Sequence, residues 1–471
     1  MFGWLKPTCP VDLKEKVWTE VNLSRLVEHW GWQRLREAAV ILPTSAFFDL
    51  PDGDQPIDTQ RLMTTVCQYM GANRERLQLE LAPAESLVNG RDEYIGDQTA
   101  TVRLARFWQE DLESLIGVLA HYAALDRLLR EGICSRDEAD LGWLADLASV
   151  FLGMGIFGAN SAVKQRNGGN GVGSGWQIRA RQKLPARMFG YAMAILATAR
   201  GERQPAWASW LGEDAADTFQ RGRRYLDRRG ECVFDHETHG QLRVASSTAS
   251  LAADLIHGGD SVRLASLWAL EQQGPEASSA LDAIATCLRS SSRVLQSEAA
   301  RLVGKIGIDQ PEITDELLRL LDSSHQQVCC CAATALGNLQ VPLDREGSRG
   351  YTFFDLLRIL MGGDDTRVAQ TAVLTLCRYG PAAAEAIESF IEPLRRALVA
   401  CDYPTQDLYF TALHAIDGDP ARFLETHLRE WHPDLYPEAL TALELYREHR
   451  LVVESSSAAE AAAPDPSGPI A

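Results

Sequence analysis

From about residue 260 the chain repeats itself, and that periodicity constrains its fold more than any single motif. Aligning Val262, Val294, Val328 and Val368 gives spacings of 32, 34 and 40 residues, within the range of helical repeats. Each valine is followed at a fixed offset by an apolar residue, first Leu267, Ala299, Ala333 and Val373, then Leu270, Leu302, Leu336 and Leu376. Those offsets lie on one face of a helix. Three of the helices then reach Gly274, Gly307 or Gly380, the residue type expected just past a helix end. Second apolar segments follow at Leu281 to Leu288, Leu317 to Leu321 and Ile391 to Leu398. A helix pair of this size cannot bury its apolar face alone, so the pairs must stack, and the stack offers an extended surface to a partner.

The segment Asp260-Ser261-Val262-Arg263 opens the first unit. With the spacing above it resembles the HEAT repeat, which implies an α-solenoid of the HEAT/armadillo type over residues 260–450. Four units are clear, and Pro404 to Tyr446 supplies weaker ones. Gln340 to Tyr351, with Pro342, Gly347 and Gly350, reads as a loop inserted in the third. The tail, 451–471, is rich in Ala, Ser and Pro and is expected to be disordered.

The first half is less regular. Lys14 to Trp32, Gln60 to Met70, Asp111 to Arg130, Asp140 to Ala159 and Arg187 to Arg200 carry helical spacing, whereas Ala39 to Leu42 and Leu77 to Leu81 read as short strands. Residues 1–235 are thus expected to form an α+β module dominated by helix, followed by a linker at 236–259. The Cys9-Pro10-Val11-Asp12 opening, Val40-Ile41-Leu42-Pro43-Thr44, Val66-Cys67-Gln68-Tyr69-Met70-Gly71 and the run from Asp146 to Ser161 resemble an uncharacterised bacterial family similar to zincin metallopeptidases. The resemblance implies a zincin-like module and an H-E-x-x-H helix, with a glutamate on a later helix as third ligand. Carried onto this chain, His121 matches the first ligand, Tyr122 stands at the catalytic base, Leu125 at the second ligand and Gly142 at the third. Asp146 is kept. A zinc site needs at least three protein donors and a base to activate water, so the resemblance implies a fold without its chemistry, and no cofactor is expected.

Other clusters offer less. Cys232, His236 and His239, with Glu237, could supply donors, but their spacing matches no defined zinc pattern. His427 and His432, five apart, would not share a helix face. Basic residues Arg221, Arg223, Arg224, Arg228 and Arg229 read as a solvated helix face. Between Gly153 and Gly201 there is no acidic residue, while Lys164, Arg166, Arg179, Arg181, Lys183 and Arg187 surround a glycine-rich loop from Asn167 to Gly175. Trp176-Gln177 stands where a phosphate-binding loop needs Lys-Ser/Thr, so the segment reads as a docking patch for something acidic rather than a nucleotide site.

Charge narrows the partner class. Net charge is -18, and residues 236–450 hold 30 acids against 18 bases. A surface that neutralises phosphates wants the opposite sign, so nucleic acid is not expected and a protein is. The ten cysteines form no CxxC pair, which fits reduced thiols and a cytoplasmic location. No signal peptide is expected, and the uncharged stretch Leu147 to Val163, broken by glycines, reads as a buried core segment rather than a membrane span. The sequence therefore points to a non-catalytic scaffold or adaptor, its oligomeric state open. The alternatives are a metal-dependent hydrolase with a rebuilt site and a HEAT-containing lyase of the bilin-attaching kind.

Overall fold

The structure, a computed structural model, describes residues 8–49, 57–87, 92–96, 98–166, 177–180, 184–228, 230–347 and 350–461, with side chains left aside at 163–180, 431, 449 and 451–461. Its contacts divide the chain into two units, Met1–Ala245 with Gly258–Ala265, and Ser246–His257 with Ser266–Ala471.

In the first unit, helix α1 (Leu13–Trp30) starts where the Asp12 carboxylate accepts the Glu15 N–H, satisfying one of the donors a helix start leaves over. It ends at Gly31, whose φ of 88° turns the chain into α2 (Trp32–Glu37). After α3 (Thr59–Met70) come β1 (Leu77–Ala82), β2 (Glu93–Ile95) and β3 (Ala100–Ala105). They form one sheet in the order β1-β3-β2. β1 runs parallel to β3, with Leu77 opposite Ala100, and β2 runs antiparallel, with Glu93 opposite Arg103.

The core is a nest of helices: α4 (Leu112–Arg130), α5 (Leu141–Phe151), α6 (Gly155–Ser161), α7 (Ala186–Ala199) and α8 (Glu213–Asp227). α4 packs on α5 and α6, and α7 on α8. Gly190 lets the last pair close, since a Cβ there would lie 2.4 Å from the Ala215 carbonyl oxygen. Phe151, Phe157 and Phe189 are fully buried, each contributing about 2 kcal/mol of apolar transfer. Two further ribbons complete the unit: β4 (Val163–Arg166) with β5 (Gln177–Ala180), and β6 (Phe234–Asp235) with β7 (Gln241–Leu242). The unit is predominantly helical, and these small sheets do not show the zincin-like α+β module that the resemblance implies.

Two local expectations are corrected. Asp140 to Ala159 is not one helix: it breaks at Leu152–Met154, where Gly153 adopts φ 94°. A Cβ at Gly153 would lie 2.1 Å from the Ala39 carbonyl oxygen, and the Ile41 N–H donates to the Gly153 carbonyl at 2.9 Å. Ala39 to Leu42 is accordingly not a strand: it is extended backbone clamped against that glycine, apolar because it is buried there and not because it joins a ladder.

The second unit begins with α9 (Thr248–His257), and α10 (Asp260–Gln273) has its first turn counted with the first unit. Then follow α11 (Leu281–Leu288), α12 (Arg293–Ile306), α13 (Pro311–Leu320), α14 (Gln326–Asn338), α15 (Phe353–Gly362), α16 (Thr366–Cys377), α17 (Ile391–Val399) and α18 (Tyr403–Ile416). The chain closes with α19 (Pro420–Phe423), a π-helical turn at Leu424–Leu428, α20 (Arg429–Trp431) and α21 (Tyr436–Ala461). The last helix extends into the segment expected to be disordered, and residues 462–471 lie outside the described residues.

Two layers result. One stacks α12, α14, α16 and α18 in succession; the other joins α9 to α11 and α11 to α13. The aligned Leu270, Leu336 and Leu376 are fully buried, as the periodicity requires. Gly274, Gly307 and Gly380 all stand at positive φ, 61°, 72° and 53°, in the helix-ending conformation that glycine adopts without a Cβ clash. The insertion after α14 is ordered at both ends: the Tyr379 hydroxyl donates to the Val341 carbonyl at 2.7 Å, and Glu346 pairs with Thr352.

Candidate functional site

α4 and α5 form a helical hairpin, and its facing positions hold the residues singled out by the resemblance. His121 Nδ1 donates to Asp146 Oδ1 at 2.6 Å, and the other Asp146 oxygen accepts the Leu184 N–H at 2.9 Å. His121 is 8% exposed and Asp146 1%. In an antiparallel helix pair residue numbers rise on one side as they fall on the other, so one turn forward from His121 and one turn back from Asp146 place Leu125 opposite Gly142. Both are buried. The hairpin therefore has a polar rung and, one turn away, a rung of leucine and glycine.

An imidazole whose Nδ1–H is held by a carboxylate is the usual arrangement of a metal-bound histidine, but no donor set accompanies it here. Leu125 and Gly142 carry no ligand atom, and among the described residues no group of three His, Cys, Asp or Glu side chains is placed to hold a metal ion. Zinc does not fit these residues. Tyr122 cannot replace the missing base: burial, with Asp92, Asp146 and Glu93 nearby, holds its phenol well above the usual range and protonated. Its ring stacks on Tyr94 with centroids 6.4 Å apart and planes 2° from parallel.

The acids around this hairpin are occupied. Asp92 accepts the Ala105 N–H at 2.9 Å and the Trp108 indole N–H at 2.8 Å. Burial pushes its carboxyl up, opposed by those two bonds and by His121. Asp126, fully buried, accepts the Tyr94 hydroxyl at 3.0 Å and lies 3.7 Å from Arg76. These contacts fasten β2 and the chain just before β1 to α4.

The other clusters are dispersed. Cys232 points away from the histidines: its Sγ donates to the Phe234 carbonyl at 3.3 Å. Burial and the neighbouring Glu20 raise its thiol far above the usual range. His236 is exposed, and the His239 ring lies 5.9 Å from Trp32. His427 packs on Phe423 with ring centroids 5.0 Å apart. Of the basic cluster, Arg187 is taken up by a bidentate ion pair with Glu15 and is not part of a free patch. Lys164, Arg166 and Arg179 lie on the β4–β5 ribbon, and Arg181 and Lys183 lie outside the described residues. On α8, Arg221 lies 3.4 Å from Asp217 and Arg223 donates to the Thr198 hydroxyl at 2.6 Å, while Arg229 is outside the described residues.

Two polar networks went unread in the sequence. In the first unit, Lys16 donates to Glu20 at 3.2 Å and to the Ser261 hydroxyl at 2.8 Å. Glu20 also accepts the Tyr191 hydroxyl at 2.5 Å and the Val233 N–H at 2.7 Å. The Lys16 and Glu20 spacing of four along a helix was the only local sign. In the second unit, the Trp268 indole donates to Glu298 at 3.2 Å, and Arg301 bridges Glu298 and Glu271 at 2.8 and 2.5 Å. Asn338 donates to the Gly304 carbonyl at 3.2 Å and accepts from Arg378. Apart from Arg301 and Glu298, three apart on one helix, these partners lie 30 to 40 residues apart, the repeat spacing itself, so the periodicity contained the signal.

The class this geometry defines is an α-helical repeat unit of stacked helix pairs, preceded by a mainly helical unit. No family model and no curated protein matches the chain. Among solved structures it is similar to Kap121p, with a TM-score of 0.31 and 14% identity over 72% of this chain and 36% of that one. It is also similar to Kap121p bound to RanGTP, with a TM-score of 0.30 and 14% identity over 72% and 35%. The chain thus spans about a third of the length of the solved chains it matches. No helix among the described residues is long and apolar enough to cross a membrane, and all ten cysteines are free.

Proposed function

We propose that the protein is a non-catalytic scaffold that binds a protein partner along its stacked repeats, in a cytoplasmic setting that keeps its thiols reduced. Its first unit, on this reading, is a metallopeptidase-like module whose helix hairpin has kept a structural rung and lost its chemical one. The observation that carries the proposal is the buried His121–Asp146 pair with buried Leu125 and Gly142 standing at the two positions where the resemblance puts the other ligands. It removes two ligand positions while leaving the hairpin's support in place, and Tyr122 removes the base. Binding is then the remaining task of a stack that leaves Leu374 49% and Tyr403 59% exposed. Repeat arrays bind through extended surfaces of this kind, and isolated exposed apolar side chains gain significance only where a partner covers them.

The test is capture of partners with the tagged full chain, comparing wild type with Leu374→Glu, Tyr403→Glu and His121→Ala. The two repeat variants should lose a partner that His121→Ala retains. Capture indifferent to the repeat variants, or lost only with His121→Ala, overturns the scaffold reading. One observation favours a second reading, a metal-dependent hydrolase with a rebuilt site: the carboxylate-held imidazole of His121. Metal content of protein purified without chelator decides between them. Stoichiometric zinc, manganese, iron or nickel that disappears in His121→Ala supports the hydrolase.

A further inference from the structure

One face of the second unit departs from the charge of the rest. Residues 236–450 hold 30 acids against 18 bases, yet no residue of α14 is charged and on α16 only Arg367 is. Along α16 and into its C-cap, Arg367, Thr371, Leu374 and Arg378 follow at helical spacing and form one stripe. Arg367 and Arg378 are exposed, Thr371 is half-buried, and Leu374 is 49% exposed. α14 lies alongside in the same direction: Gln326 donates to Asp365 near one end, and Arg378 donates to Asn338 at the other. That register sets half-buried Thr334 beside Leu374, 40 residues on, as Asn338 is from Arg378. On the other flank Gln370 of α16 donates to Thr405 of α18 at 3.3 Å. α18 adds Asp407, half-buried and already engaged.

The two ends of the stripe differ in sign. Before α16, Asp365 is occupied by the Val368 N–H at 3.0 Å, and Asp364 is exposed. After α16 stands Arg378. The distance from Asp364 to Arg378 is about 20 Å along the helix axis. A two-fold axis at Thr371, midway, turns the stripe onto itself antiparallel, so that Arg378 of one copy meets Asp364 of the other at both ends. Leu374 of each copy then lies against Thr371 and the aliphatic stem of Arg367 of the other. An isologous contact requires such self-complementarity, and the acidic remainder of the unit repels a copy that approaches elsewhere.

We infer that the α14–α16–α18 face docks a second copy of this chain, antiparallel about Thr371. Helices about 10 Å apart and a stripe about 20 Å long give about 600 Å² per copy. The total of about 1,200 Å² is at the lower end of specific interfaces. The dimer should accordingly be weak, with a Kd of about 10 μM. Dimerisation goes beyond the scaffold reading and needs no other protein present, so either can fail while the other stands.

The experiment is sedimentation velocity of the purified full chain from about 1 to 200 μM, in about 150 mM salt. Wild type should pass from monomer to dimer across that range. Leu374→Glu should weaken association about a hundredfold, because each dimer carries the change twice. Arg378→Asp alone and Asp364→Arg alone set like charges against each other at both ends, and each should stay monomeric. Mixed in equal amounts, the two variants match at both ends and should dimerise as well as wild type. Both positions are exposed, and circular dichroism checks that each variant is folded. A wild type monomeric throughout overturns the inference and leaves the face to a different protein. A dimer that Leu374→Glu does not weaken overturns it too, as does a mixture that stays monomeric.

Discussion

A double-mutant cycle on His121 and Asp146 tests whether the surviving rung is a structural device. Asp146→Ala deletes the acceptor of two buried donors, His121 Nδ1 at 2.6 Å and the Leu184 N–H at 2.9 Å. At about 2 kcal/mol for each orphaned donor the loss is about 4 kcal/mol. His121→Ala takes the imidazole from a carboxylate that is 1% exposed and loses the packing of the ring, about 4 kcal/mol together. The double variant orphans only the Leu184 N–H and loses the packing of the ring, about 5 kcal/mol in all. Additive behaviour would give about 8 kcal/mol, so the coupling energy should be about 3 kcal/mol. Urea denaturation followed by tryptophan fluorescence is the assay, because nine of the eleven tryptophans lie at or before Trp210 and report on the first unit. Asp146→Asn, which keeps one acceptor oxygen, serves if the alanine variants do not fold. Coupling below about 0.5 kcal/mol would mean independent sites and would refute the pairing.

Two further outcomes are expected. Leu125→His with Gly142→Glu and Tyr122→Glu should bind about one zinc per chain, measured by elemental analysis, and should lose it when His121→Ala is added; a folded variant that takes up no zinc contradicts the facing of Leu125 and Gly142. Glu271 supplies a pH dependence: burial raises its carboxyl, but hydrogen bonds from Arg301 and Lys305 win and hold it at about 2, against 4.5 ordinarily. A depressed carboxylate contributes stability that is present above the unfolded pKa and is lost as pH falls through the folded one. The repeat unit should thus lose about 2 kcal/mol between pH 4.5 and 2, and Glu271→Gln, by circular dichroism melts, should flatten that limb.

The repeats were legible because stacking imposes the same buried face at a fixed interval, and glycines at positive φ follow three of the helices, at Gly274, Gly307 and Gly380. β1 was legible for the same local reason, alternation of Leu77 and Leu79 with polar residues. The break at Gly153 was not, since it depends on the Ala39 carbonyl more than a hundred residues earlier, and nothing near Gly153 announces that approach. His121 and Asp146 were both marked by the resemblance, yet their hydrogen bond is a fact of the hairpin's register, invisible until α4 and α5 are set side by side. Cys232 and its neighbouring histidines looked like a cluster because they are close in sequence, whereas the thiol donates to the Phe234 carbonyl and the His239 ring lies against Trp32. Six bases likewise looked like one patch, whereas three of them lie on the β4–β5 ribbon, Arg187 is held in an ion pair with a residue 172 positions away, and Arg181 and Lys183 lie outside the described residues.

Asn338 has a mechanical consequence. Its amide clasps the carbonyl of Gly304 on one side and Arg378 on the other, and a Cβ on Gly304 would sit 2.8 Å from the Ala335 Cα, so α12, α14 and α16 are pinned together at their C-terminal ends. A stack fastened along one edge cannot slide its rods lengthwise. It can still fan, with the opposite ends spreading about that edge, so the repeats have one soft direction of bending and a stiff one across it. Asn338→Ala should soften the stiff direction while leaving the buried leucines of each helix pair in place.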